Sequence, residues 1–163
     1  MDAAAFFYAQ CAGNPAGDAL CLPRWSVDDW RALLSHTQTV QVASGDALLR
    51  LGEQERAMYF VVEGALEVSQ STGRSDTLGT MFRELPGSVF GEVALFDGLP
   101  RSASVWAIKP TSLLKLTHDG LMAFTAAHMG LANDLLFALG RVLAFRVRLA
   151  KDRTRRLAFG DGG

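Results

Sequence analysis

Two cysteines, Cys11 and Cys21, are all that the 163 residues carry. They have neither C-x-x-C spacing nor a neighbouring histidine, so no disulfide scaffold and no zinc site is indicated. A reducing cytoplasm is the expected location. Histidine is nearly as scarce: His36, His118 and His128 are scattered and no H-x-H occurs. A catalytic metal takes about three protein ligands, and Ser102 and Ser104 have no nearby histidine to activate them. An enzyme is therefore not expected, neither a metal-dependent one on a β scaffold nor a serine hydrolase. No apolar run approaches the ~18 residues of a membrane span, so none is expected. The N-terminus opens on Asp2 rather than a basic stretch, and its apolar part is short and interrupted, unlike a signal peptide. A net charge of −1 lacks the basic excess that wholesale nucleic-acid binding brings.

What is present is a globular balance, 49% hydrophobic and 20% charged, in a chain of one-domain size. Residues 3–11 read as a short helix and GNPAGD as loop. In SVDDWRALLSH, Ser26 is a cap, Asp28 and Asp29 fill the first turn, and Val27, Trp30, Leu33 and Leu34 recur at helical spacing, which predicts a helix over 26–36. From Thr37 the period becomes that of strands: TVQVASGD, ALLRLGE, AMYFVVEG, ALEVSQS, DTLGTMFREL, VF, RSASVWAIK and TSLLKLT, broken by glycines. About eight short strands over 37–117 without intervening helices predict an antiparallel double-stranded β-helix, a jelly roll. The fold class is mainly β with flanking helices.

After Thr117 the pattern returns to helix, first a short one and then a long one over 131–157. At 100° per residue, Leu131, Leu135, Ala138, Val142, Phe145 and Leu149 form one stripe, and Ala132, Leu136, Leu139, Leu143, Val147 and Ala150 an adjoining one. Together they span roughly 200°, wider than the ~100° that covers one core. Two apolar neighbours are expected, the chain's own barrel and a second copy. Arg146 lies inside that arc, where an unpaired guanidinium is costly. It either snorkels, pairs with a carboxylate across a dimer interface, or faces a ligand. Basic residues gather toward the C-terminal end, from Arg141 to Arg156. They read as cations placed at a helix C-terminus or as a handle for an acidic partner.

FGEVALFDGLPRSASV, residues 90–105, brings one carboxylate and one guanidinium into a glycine-rich turn. Gly91 permits close backbone approach, and Glu92 to Phe96 is long enough for about one helical turn. A helix start offers unpaired amides and partial positive charge to an anion. Asp97-Gly98-Leu99-Pro100 turns the chain so that Arg101 lies alongside, and an arginine fork suits phosphate or carboxylate. Glu92 would repel an anion unless it accepts hydrogen bonds from a sugar hydroxyl. One phosphate beside one ribose hydroxyl satisfies all these groups.

GDALLRLGEQERAMYFVVEGALEV followed by LPGSVFGEVALFDGLPRSASVWA closely resembles the cyclic nucleotide-binding domain, the family of the catabolite activator's sensor half and the protein kinase A regulatory subunit. The resemblance runs over about 26–153 and implies that Glu92 takes the ribose 2′-hydroxyl and Arg101 the phosphate oxygens. It further implies that the amides after Gly91, at Glu92, Val93 and Ala94, complete the cradle, with Ser102 placed to hydrogen-bond the phosphate. The family's hydroxyl reader of adenine on the long helix is replaced here by Arg146 and Val147, and Arg146 is expected to stack on or cap the purine. The domains expected are 1–22 as a flexible N-terminal segment, 23–157 as the cyclic nucleotide-binding domain, and 158–163 as a tail. The expected function is a stand-alone sensor for a cyclic nucleotide, cAMP before cGMP, with no other cofactor and no metal. It would be a homodimer through its C-terminal helix and signal in trans to an unidentified downstream protein. The family's transcription factors continue into a helix-turn-helix, and this sequence ends at RTRRLAFGDGG, so no direct sequence-specific DNA binding is expected. The alternative is a ligand-free protein-interaction domain that keeps the fold.

Overall fold

The structure, a computed structural model, describes residues 1–13, 17, 19–69 and 80–159. Two helices come first: α1 over Ala3–Ala12 and α2 over Val27–Leu34. Ser26 caps α2 as expected, in a reciprocal capping box with Asp29. Eight strands follow: β1 (Gln38–Val42), β2 (Ala47–Leu49), β3 (Ala57–Glu63), β4 (Leu66–Ser69), β5 (Thr80–Glu84), β6 (Val89–Phe90), β7 (Ser104–Ala107) and β8 (Thr111–Thr117). The six-residue α3 (Glu92–Asp97) sits between β6 and β7, and α4 (His118–Ala127) and α5 (Met129–Phe159) close the chain. The first residues of the expected fifth strand, 76–79, lie outside the described residues.

All strand pairs are antiparallel and form two four-stranded sheets, ordered β1-β8-β3-β6 and β2-β7-β4-β5. This is the jelly roll that the strand count predicts. The strand period divides β3 between two cores. Ala57, Tyr59 and Val61 face the apolar layer between the sheets, with Leu66, Val105, Leu113 and Phe90. Met58 and Phe60 face the helices, where they meet Trp25, Trp30, Leu116, Phe124, Leu135 and Leu139. Because β3 is buried on both faces, its first five residues read as a continuous apolar run.

Part of the N-terminal segment packs on the domain. Phe7 is buried, stacks on Trp30 at 5.2 Å and meets Phe60 edge-on at 5.6 Å. Leu20 and Leu22 join the same core. One short helix with two inward residues gave too weak a sequence signal for that docking.

The long helix starts two residues before the expected 131 and continues to Phe159. Ala132, Leu135, Ala138, Leu139 and Val142 are buried against the domain. Among the described residues, no α5 side chain after Val142 is fully buried. Leu136, Val147, Leu149 and Ala150 remain exposed, so four of the twelve positions of the wide apolar arc are left uncovered by this chain, and Phe137 beside the arc is exposed as well.

Candidate functional site

The loop before β3 builds the arginine half of the site. Arg101 donates its backbone N–H to the Glu53 carbonyl (2.8 Å), and its own carbonyl accepts from Gly52 N (2.9 Å). Its guanidinium is 3% exposed. Nη1 donates to the carbonyls of Ala57 (2.8 Å) and Gly91 (3.1 Å), and Nη2 to Glu55 Oε2 (2.9 Å). Nε is buried without a hydrogen-bond partner among the described residues. The guanidinium also lies 5.8 Å from the ring centre of Tyr59, which stacks on Phe90 at 5.2 Å. Arg56, next in the same loop, donates to the Leu95 carbonyl near the C-terminal end of α3. A cation there is favourably placed for the helix dipole.

Gly91 is where the two halves touch. Its φ of +81° is the left-handed conformation that glycine adopts without strain. A Cβ would stand 2.8 Å from Arg101 Nη1 and 3.0 Å from the Ala57 carbonyl, too close for either. Glycine at this position thus lets the guanidinium reach the start of α3.

Glu55 is the hub of that half. It accepts from Arg101, Lys115 and the Tyr59 hydroxyl (2.8 Å). Burial pushes its carboxyl upward, but the hydrogen bonds from Lys115, Arg101 and Tyr59 outweigh burial and hold it below its ordinary value. Burial, followed by the Glu55 carboxylate, drives the Tyr59 phenol well above its own.

Glu92 opens α3 and is 2% exposed. It does not pair with Arg101. Its Oε1 accepts from Arg146 Nη1 (2.9 Å), while Arg146 Nη2 donates to Glu84 Oε1 (2.9 Å) and to the Val89 carbonyl (2.7 Å). The Arg146 side chain is 16% exposed and Glu84 is fully buried. Arg146 thus neither snorkels nor needs a second chain for a carboxylate: the folded chain supplies two.

The other expected residues divide by burial. Ala94 is buried, Val93 projects outward at 43% exposure, and Ser102 is exposed beside Arg101. Glu55 and Glu84 were missed in the sequence. A guanidinium inside an apolar arc did signal a carboxylate, but choosing Glu84 required knowing how β5 packs on α5. A separate groove of about 440 Å³ lies between residues 21–25 and α5, lined by Leu22, Trp25, Asp134, Phe137 and Arg141 among others. It includes none of the residues above. No helix among the described residues is long and apolar enough to cross a membrane.

A family model described as "Cyclic nucleotide-binding domain" matches residues 39–128. A cyclic nucleotide-gated potassium channel of Mesorhizobium japonicum is 43% identical over 94 residues, 58% of this chain and 23% of the channel. A CRP-like cAMP-activated global transcriptional regulator of Mycobacterium tuberculosis is 28% identical over 132 residues, 80% of this chain and 56% of the regulator. The chain therefore spans less than two thirds of either relative. Among solved structures, a cyclic nucleotide-binding domain from Methylobacillus flagellatus superposes with a TM-score of 0.75 at 25% identity, covering 89% of this chain and 81% of that one.

Proposed function

The chain belongs to the cyclic nucleotide-binding domain family, and from that premise we propose that it binds a cyclic nucleotide, cyclic AMP before cyclic GMP, and reports the bound state to a protein partner in trans. The observation that carries this reading is Arg101, a buried guanidinium held against Gly91, the residue that precedes α3, with Nε left without a hydrogen-bond partner among the described residues. A buried donor without an acceptor costs on the order of 1–3 kcal/mol, and a phosphate oxygen is an acceptor of the right charge. In this reading Arg101 and the amides of Glu92, Val93 and Ala94 take the phosphate, Ser102 adds a hydroxyl, and Gly91 gives the room. Glu92 takes the ribose hydroxyl, and Arg146 enters the site through Glu92. The cAMP preference follows the mycobacterial regulator's description.

Signalling would run through α5, a population shift limited to the ligand's differential affinity for two states, roughly 1–3 kcal/mol. Exposed Leu136 and Val147, eleven residues apart and so on one face of the helix, with Phe137 flanking them, support a homodimer through this helix. No catalytic step is proposed, and the cytoplasm is the proposed location. Calorimetric titration with cyclic AMP and cyclic GMP tests the function: saturable heat that disappears in Arg101→Ala is expected. Absence of both heat and thermal shift with either nucleotide would leave the protein-interaction domain as the reading.

A further inference from the structure

We propose that Cys11 and Cys21 are a dithiol modification site, which closes to an intramolecular disulfide when a hydroperoxide reaches the chain and reopens when a small dithiol reduces it. The site shares no residue with the nucleotide site, and the inference does not depend on that reading.

Ten positions separate the two cysteines, a spacing that carries no sequence signature, and the fold brings them together. Cys11 lies in the last turn of α1, and Cys21 in the stretch between α1 and α2. Phe7 on one side and Leu20 and Leu22 on the other dock into the same core, which holds both stretches in place. The Leu22 N–H donates to Cys11 Sγ (3.1 Å), and the Cys21 thiol donates to the Cys11 carbonyl (3.9 Å). Because Leu22 N is bonded to the Cys21 carbonyl carbon, Cys11 Sγ lies within about 6 Å of the Cys21 Cα. Each sulfur thus sits against the other residue's main chain, within reach of an S–S bond. Both are free thiols and only half-buried, so a small oxidant has access.

The two sulfurs are not equivalent. Cys21 lines the groove between residues 21–25 and α5 together with Arg24, Asp134 and Arg141. Asp134 is bonded to Arg24 (2.9 Å), and Arg141 donates to the neutral Ala19 carbonyl (2.9 Å), so the groove keeps a positive charge beside the thiol. A partly exposed thiol near a cation is where thiolate chemistry is favoured. Cys11 is the poorer nucleophile: burial, followed by contact with the Cys21 thiol, pushes it up to about 11. Cys21 therefore reacts first. Its thiolate attacks one oxygen of the hydroperoxide, the O–O bond breaks, and the other oxygen leaves and takes a proton as an alcohol or water. Cys21 is then a sulfenic acid. The Cys11 sulfur attacks the Cys21 sulfur, and the Cys11 proton leaves with the sulfenic hydroxyl as water. Two thiols have lost two electrons and one peroxide has gained them; a dithiol returns them by thiol–disulfide exchange.

The closed bond spans a segment that rests on α5. Gly17 lies so close to the Phe145 ring that a Cβ would stand 2.4 Å from it, and Ala19 is held by Arg141. A cross-link over that segment removes freedom from the unfolded chain and stabilises the folded one.

The test treats the reduced full chain with hydrogen peroxide, counts thiols by alkylation and intact mass, and melts the same samples. Both cysteines should be alkylated before peroxide, neither after it, and both again after dithiothreitol. The oxidised chain should lack the two thiol hydrogens and yield a cross-linked peptide pair holding Cys11 and Cys21. Its thermal midpoint should rise by roughly 5 °C. In Cys11→Ser a dimedone probe should capture a sulfenic acid at Cys21, and in Cys21→Ser it should capture far less at Cys11. If a variant does not fold, the wild-type thiol count and peptide pair decide the matter alone. Oxygen added to the cysteines without a cross-link overturns the proposal, and so does a cross-link between two copies in place of one within the chain. A thermal midpoint that falls on oxidation also overturns it, because the folded chain then does not accommodate the bond. Equal capture at the two cysteines refutes the order assigned to them.

Discussion

Arg101 and Arg146 both end on carboxylates brought from distant parts of the chain, yet they are held in different ways. Arg101 is gripped through its backbone by Gly52 and Glu53 and through Nη1 by two carbonyls, and only Nη2 depends on a charged partner. Arg146 projects from a helix whose neighbouring side chains are not fully buried, and two of its three described bonds go to carboxylates. The difference teaches a division of labour: a guanidinium fixed by main chain keeps its geometry while its anion changes, whereas one fixed by carboxylates ties together the elements that carry them. The first suits holding an anion that comes and goes, and the second links α5 to β5 and the start of α3.

The largest expected effect breaks the first half of that comparison. Arg101→Ala should abolish detectable cyclic nucleotide binding, a loss of about 2–5 kcal/mol or more, and should lower the thermal midpoint because the carbonyls of Ala57 and Gly91 lose their donor. Titration and melting of the same preparation check both. An Arg101→Ala protein that binds as the wild type does would remove Arg101 from the site.

Gly91→Ala should come next. It forces a left-handed alanine, at about 1–2 kcal/mol, and sets a methyl 2.8 Å from Arg101 Nη1. Binding should weaken more than stability falls, since the guanidinium has to shift. Equal losses in both would mean that Gly91 serves the turn alone.

Glu55 sharpens the comparison through pH. Its carboxyl is held below its ordinary value in the folded protein, so the stability it contributes is fully present above the unfolded value and is lost as pH falls through the lower, folded value. Glu55→Gln should therefore flatten the acid limb of the stability curve measured by denaturant unfolding, by an amount limited by the partial exposure of the group. A parallel acid limb in the two proteins would contradict this.

The smallest effect on the fold is expected on the open face of α5. Phe137→Ser, with 76% of that residue exposed, should change stability by no more than about 0.5 kcal/mol while shifting the oligomer toward monomer in sedimentation. A variant that melts much earlier yet keeps its association state would place Phe137 in the domain rather than at a dimer contact.

Much of this was readable in the sequence where local chemistry decided it. The strands from Gln38 to Thr117, the Ser26 cap and the Gly91 to Arg101 turn each announce themselves within a few residues. What stayed hidden depends on register and packing. Glu55 meets Arg101 across 46 positions and Glu84 meets Arg146 across 62, and no periodicity encodes which carboxylate faces which guanidinium. Phe7 was hidden for a related reason, since a ten-residue helix declares its inward residues only once Trp30 and Phe60 offer a surface.

The most direct measurement is a crystal structure of the protein grown with cyclic AMP. The account predicts the cyclic phosphate against Arg101 and the α3 start and the ribose 2′-hydroxyl on Glu92. A nucleotide lodged elsewhere, for instance in the groove between residues 21–25 and α5, would contradict it.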